Sequence, residues 1–265
     1  MVEAIRSSDD EYHLYTICFS HFNEKARWAL GFYNVPFTEH PQLPLFHGRA
    51  ARPIVQSKET AILPPKSNHA TRYSTPCLVC RDPRTKAIRW SLHSSDLILH
   101  FLADHFAESS GRHHLYNVSN RSEEVAKKEM ELGEHLGVVV RHFAYYMLFQ
   151  RVRRENGLWA WIAGMWQFSL LGFKNGITAW MSALWCLFTP LTAYFLTKAL
   201  RLSESKYLRA EAAFRDEFQK ASEGTCTRVI LPRTWLRRDI VLEKQPFLYG
   251  DKLTAVDITF ACMVP

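Results

Sequence analysis

Charge is what the middle of this sequence lacks. From 156 to 197 the only charged residue is Lys174. Elsewhere charge is ordinary: Lys and Arg number 33 against 26 Asp and Glu in 265 residues, a formal excess of +7. That excess admits anionic ligands, nucleic acid or membrane surfaces and selects none of them. The opening Met-Val-Glu-Ala-Ile-Arg-Ser-Ser-Asp-Asp-Glu lacks the basic-then-apolar pattern of a secretory leader, so a cytoplasmic location is expected. The N-x-Ser triplets at Asn117 and Asn120 then carry little weight, because glycosylation needs the secretory route.

Six cysteines (Cys18, Cys77, Cys80, Cys186, Cys226 and Cys262) are scattered, as expected for reduced thiols. Cys77 and Cys80 form a C-x-x-C with no second pair at zinc-finger spacing. They fall in a β-like run, where positions three apart face opposite sides, so they read as packing residues. The sequence has no P-loop, no G-x-S-x-G, no H-E-x-x-H and no basic/aromatic nucleic-acid module. No metal site and no nucleic-acid partner are expected. Hydrophobic residues at 47% and charged residues at 22% exclude a disordered tail, a collagen-like fibre and a disulfide-rich miniprotein.

What is present divides in two. Residues 13–19 read as a strand and 21–32 as an amphipathic helix carrying Phe22, Ala26, Ala29 and Leu30. Gly31 and Asn34 are stop signals, and 35–38 reads as a second strand. Residues 41–73, rich in Pro, His and Arg, read as irregular. A third strand runs from Ser74 to Cys80, a turn falls at Asp82-Pro83, and a fourth strand covers 87–92. Ser94 or Ser95 caps a helix bearing Leu97, Ile98, Phe101 and Leu102. Polar residues 107–120 read as a linker. Beyond it helices are expected over 121–150, 157–173, 177–200 and 204–222. The expectation is an α/β domain over 11–107 and an all-α domain over 121–265.

Three blocks carry a resemblance. Phe19-Ser20-His21-Phe22-Asn23-Glu24-Lys25-Ala26-Arg27-Trp28-Ala29-Leu30 joins the first strand to its helix. Thr75-Pro76-Cys77-Leu78-Val79 enters the third strand, and Ser94-Ser95-Asp96-Leu97-Ile98 opens the next helix. Together they resemble the thioredoxin-like N-terminal domain of the serine-type glutathione S-transferases. Phe247 to Ala261 resembles that family's helical-domain folding motif. Its physics is local: Thr254 caps, Asp257 reaches back from the third helical position, and Leu253 and Ile258 stand at hydrophobic-staple positions. Family members carry further helices after this motif, so the helical domain is expected to be shortened here.

The resemblance implies glutathione as co-substrate, an apolar electrophile and a homodimer. It places Ser20 as the hydroxyl that hydrogen-bonds the glutathione thiolate, although its position equally predicts a plain helix cap. Cys18 lies two residues before the position of a cysteine-type nucleophile. The resemblance also implies a cis Thr75–Pro76 bond pairing with the cysteinyl backbone of glutathione, and Ser95 holding the γ-glutamyl carboxylate. Ser94 stands where many members have an acid, which weakens recognition of the γ-glutamyl ammonium. His21 replaces a common proline and reads as a solvated helix-start residue. His21 and Phe22, beside Ser20, with Arg141 and Tyr145, four apart on one helix face, are the candidate electrophile pocket.

The uncharged stretch allows two readings. Trp159, Ile162, Trp166 and Leu170 fall at helical spacing, as do Trp180, Leu184, Phe188, Leu191 and Phe195. Two core helices would explain them. So would a membrane hairpin turned at Lys174-Asn175-Gly176, flanked by Arg151, Arg153, Arg154, Lys198 and Arg201, although Pro190 interrupts it. A non-enzymatic, membrane-associated binding or scaffold protein is the alternative function.

Overall fold

The computed structural model describes residues 10–17, 20–44, 46–56, 61–62, 75–117, 121–174, 179–224 and 247–263. Cys18, Phe19, Ser74, Asn120, the turn at Asn175-Gly176 and Cys226 lie outside them. The strands are β1 (Glu11–Ile17), β2 (Thr38–Gln42), β3 (Ala61–Ile62), β4 (Cys77–Arg81) and β5 (Ile88–His93). They form one mixed sheet in the order β2-β1-β4-β5-β3. Strand β1 runs parallel to β2 and antiparallel to β4, and β4 is antiparallel to β5.

Alternation in β1 sends Tyr12, Leu14 and Thr16 inward. They meet α1 (His21–Phe32) and α3 (Ser95–Ser110), which cover one face of the sheet through Ala26, Ala29, Leu30, Ile98, Leu99 and Leu102. The other face receives α2 (His47–Gln56), whose Ile54 packs on Cys77 and Val79. Cys77 and Cys80 therefore point to opposite faces, and burial pushes both thiols up, Cys80 to about 12. They are inert packing residues. Helices α1 and α3 both end in a left-handed residue, Asn34 (φ 52°) and Gly111 (φ 66°). In each, the next N–H returns to a carbonyl five residues back: Val35 to Leu30 at 2.9 Å, Arg112 to Ala107 at 3.0 Å.

Three boundaries differ from expectation. The second strand lies at Thr38–Gln42 and not at 35–38, because Val35 is spent closing α1. The supposedly irregular 41–73 contains α2 and β3; Pro53 inside α2 hid the helix from a propensity reading. The polar linker is partly core. Helix α3 continues to Ser110, and Leu115 and Tyr116 are buried.

The helical half begins with α4 (Ser122–Tyr146), which passes through a π-helical turn (Met147–Arg151) into α5 (Val152–Lys174). Gly157 (φ 82°) interrupts α5. Then follow α6 (Ala179–Ala199), α7 (Glu204–Gly224) and α8 (Ala255–Ala261). Helix α8 starts at the predicted capping box: the Thr254 side chain accepts from the Asp257 N–H, and Asp257 accepts from the Thr254 N–H at 2.8 Å. Val125, Leu132 and Leu136 of α4 and Val256, Ile258 and Phe260 of α8 join the same core as α1 and α3.

A second core holds Tyr146, Trp161, Met165, Met181 and Trp185. Here most of the predicted stripe residues face outward, while Ile162 packs partly buried against this core. Trp159, Trp166, Trp180, Phe188, Leu191 and Phe195 face outward, while Trp161, Met165, Met181 and Trp185 face in. Both faces of these helices are apolar, so periodicity alone cannot say which is buried. The Leu170 side chain lies outside those described.

Candidate functional site

Register brings three predicted blocks to one end of the sheet. Cys77 pairs with Tyr15 on β1 and with His93 on β5. The N-terminal end of β4, the C-terminal end of β1 and the C-terminal end of β5 therefore coincide. Ser20, Thr75-Pro76 and Ser94-Ser95 extend from those three ends.

Ser20 caps α1 with its backbone only. Its carbonyl accepts from the N–H groups of Asn23 (2.9 Å) and Glu24 (3.1 Å), and its hydroxyl makes no capping bond. The Asn23 side chain donates to the Ile17 carbonyl at 3.0 Å and fixes the turn. The hydroxyl thus sits at the positive end of a 12-residue helix, uncommitted to it. The Thr75–Pro76 bond is cis. The Ser94 N–H donates to the Pro76 carbonyl at 3.3 Å, so these two predicted residues adjoin. Ser94 holds φ at 139°, unusual for a residue with a Cβ.

Ser94 caps α3 by accepting from the Asp96 N–H at 3.2 Å. Both serine hydroxyls then turn to the Asp96 carboxylate, each at 3.4 Å. Ser95 is buried. The Asp96 carboxylate therefore lies beside both serine hydroxyls at the start of α3.

Asp96 is held in turn by an arrangement the sequence reading missed. Lys25 of α1 is fully buried and pairs with Asp96 of α3 and Glu129 of α4. The Thr259 hydroxyl of α8 donates to Glu129 at 3.2 Å. Burial opposes the Lys25 charge, but the two carboxylates outweigh it and raise its pKa. Burial likewise opposes ionisation of Asp96, and Lys25 overcomes it, lowering Asp96; for Glu129 burial prevails and its pKa rises. The available signal was a lysine at an inner position of α1, three residues from Phe22 and four from Ala29.

His21 is not the solvated residue expected. Burial, then the Arg141 and Lys25 charges, push its pKa down to about 4. Its Nε2 and the Arg141 Nε are buried without hydrogen-bond partners among the described residues. Phe22 lies against the backbone of Gly137 on α4: a Cβ there would fall 2.6 Å from its ring. Burial lowers Arg141 and the neighbouring Tyr145 opposes that, so these two share a neighbourhood as their spacing predicted. Tyr145 stacks on Phe149 with ring centroids 5.5 Å apart. Among the described residues no cluster of three metal-ligating side chains occurs.

A mixed sheet with α1 and α3 on one face and α2 on the other, entered at β4 through a cis proline, followed by a helical domain, is the glutathione S-transferase-like fold. No protein-family model and no curated protein matches the sequence. Among solved structures, FzlA from C. crescentus aligns at 11% identity and a TM-score of 0.49, covering 95% of this chain and 76% of that one. A glutathione S-transferase of Ceriporiopsis subvermispora in complex with glutathione aligns at 14% identity and 0.48, covering 96% and 85%. Ure2p in complex with glutathione aligns at 12% and 0.45, covering 95% and 82%.

Proposed function

We propose that the chain is a glutathione transferase, with glutathione bound across the ends of β1, β4 and β5 and its thiol activated by Ser20. The Ser20 hydroxyl, uncommitted at the start of α1, carries this reading. A free thiol has a pKa near about 8.5 and is mostly protonated at neutral pH. A hydroxyl donor and the helix N-terminus both favour the anion, so the proton leaves to solvent. The thiolate then forms a carbon–sulfur bond to an apolar electrophile, whose leaving group departs with its electrons or whose double bond takes them up. Thr75 lies beyond the ladder that begins at Cys77 and is the backbone partner proposed for the cysteinyl segment. His21, Phe22, Arg141 and Tyr145 are proposed to border the electrophile.

Retention on glutathione-agarose and a thiol-conjugation assay test the proposal. Ser20→Ala should lower the rate by about 100-fold, the scale of a lost transition-state donor. An unchanged rate removes Ser20 from the mechanism.

A second reading is a protein of this fold that binds or scaffolds without transfer. Asp96 favours it, since its carboxylate takes the hydroxyls of Ser94 and Ser95 that a γ-glutamyl group would need. Folded protein that flows through the column supports this reading against the first.

A further inference from the structure

The inner faces of α5 and α6 meet in the second core, but their outer faces are apolar as well. Trp159 is 81% exposed and Leu187 70%; Trp166, Phe188, Tyr194 and Phe195 are about half exposed. Soluble monomers rarely leave so much aromatic and aliphatic surface on adjacent helices in water. The charge around this surface is predominantly basic. Over residues 151–201 six basic residues stand against one acid, Glu155. Arg153, Arg154, Lys198 and Arg201 are exposed where α5 begins and where the chain leaves α6. Glu204 pairs with Arg154 at 2.9 Å, leaving the basic excess in place. The Lys198 ammonium lies 5.9 Å over the Tyr194 ring, so its stem runs along the aromatic surface while its charge stays at the edge.

We propose that this face docks on an anionic lipid bilayer, with α5 and α6 lying in the headgroup region. Tryptophan and tyrosine favour that depth, and flanking cations favour an anionic plane. No single helix among the described residues is long and apolar enough to span a bilayer; only the two arms of α6 taken together reach that length and apolarity. Those arms, Ala179–Phe188 and Pro190–Ala199, meet at 76°, so α6 offers no straight span. The inference goes beyond glutathione chemistry and does not use Ser20.

The test is co-flotation of the full chain with vesicles of phosphatidylcholine and phosphatidylserine, against phosphatidylcholine alone. Binding to the mixed vesicles is expected, weaker without phosphatidylserine and weaker in high salt. Trp159→Ser with Phe188→Ser should cut binding at least about tenfold. Both side chains point away from the core, and an unchanged circular dichroism spectrum verifies folding. Arg153→Glu with Lys198→Glu should remove the phosphatidylserine preference. Absence from both vesicle fractions overturns the proposal. So does resistance to carbonate extraction, which marks a span, or a stable dimer in light scattering that Leu187→Ser dissociates, which assigns the face to a second copy.

Discussion

Lys25 of α1 and Glu129 of α4 form a buried ion pair across the junction of the two halves. Removing one partner of such a pair strands a charge and costs about 3–5 kcal/mol, whereas replacing both by apolar residues is close to neutral. Lys25→Met should therefore lower stability by about 3 kcal/mol in urea unfolding. Lys25→Met with both Glu129→Leu and Asp96→Asn, which leaves none of the three charges without its partner, should recover most of that loss; a triple variant as unstable as the single one contradicts the argument.

Asp96→Asn keeps the Lys25–Glu129 pair and removes the carboxylate charge from the start of α3. Freed of that charge, Ser94 and Ser95 should accept a carboxylate ligand better. Glutathione affinity by titration calorimetry should rise by about tenfold, the equivalent of one pKa unit of interaction. Equal or weaker affinity would show that Asp96 does not compete for this position.

Acid should destabilise the protein in a defined window. Burial pushes His93 down to about 4, and His21 reaches about 4 by burial with the help of Arg141 and Lys25. The unfolded chain takes up these protons near about pH 6.5, while the folded chain holds them off until about pH 4. Stability is thus full above about 6.5 and declines as pH falls toward about 4. Glu129 and Asp257, both raised by burial, act in the opposite sense, so the difference between variants is the measurement. Relative to His93→Gln, the unmodified chain should lose about 2 kcal/mol more across the window; parallel pH profiles would refute this.

Gly137→Ala sets two effects against each other. Alanine gains about 1 kcal/mol of helix propensity. Its Cβ would also stand 2.6 and 2.8 Å from two ring carbons of Phe22. Overpacking costs about 1–3 kcal/mol, so a net loss of stability is expected, relieved in the Phe22→Leu background. A stabilised single variant would show that the Phe22 ring yields freely.

Legibility followed the range of the interactions. The capping box at Thr254 and Asp257, the stop at Asn34 and the part of the first strand from His13 to Ile17 are written within a few residues of themselves, and each was readable. Ser94 was readable as one of two cap candidates. Lys25 was not, because its partners lie 71 and 104 residues away and a lysine ordinarily reads as solvent-facing. His21 was misjudged for the same reason: only the approach of α4 buries it. In α5 and α6 the pattern was legible but its direction was not, since Trp159 and Trp161 are both apolar and only tertiary packing chooses between them. Helix α2 was concealed by Pro53.

The segment between the halves has a mechanical consequence. The Tyr33 hydroxyl accepts from the Leu115 N–H at 3.1 Å, and Leu115 accepts from the Ala255 N–H at 3.0 Å. His113 meets the Leu253 carbonyl at 2.6 Å. A stretch that separates the halves in sequence thus fastens both to itself in space. Heating should consequently melt α1, α3 and α8 in one transition, and a protease should find no early cut between Arg112 and Tyr116. The joint behaves as a keystone and not as a hinge.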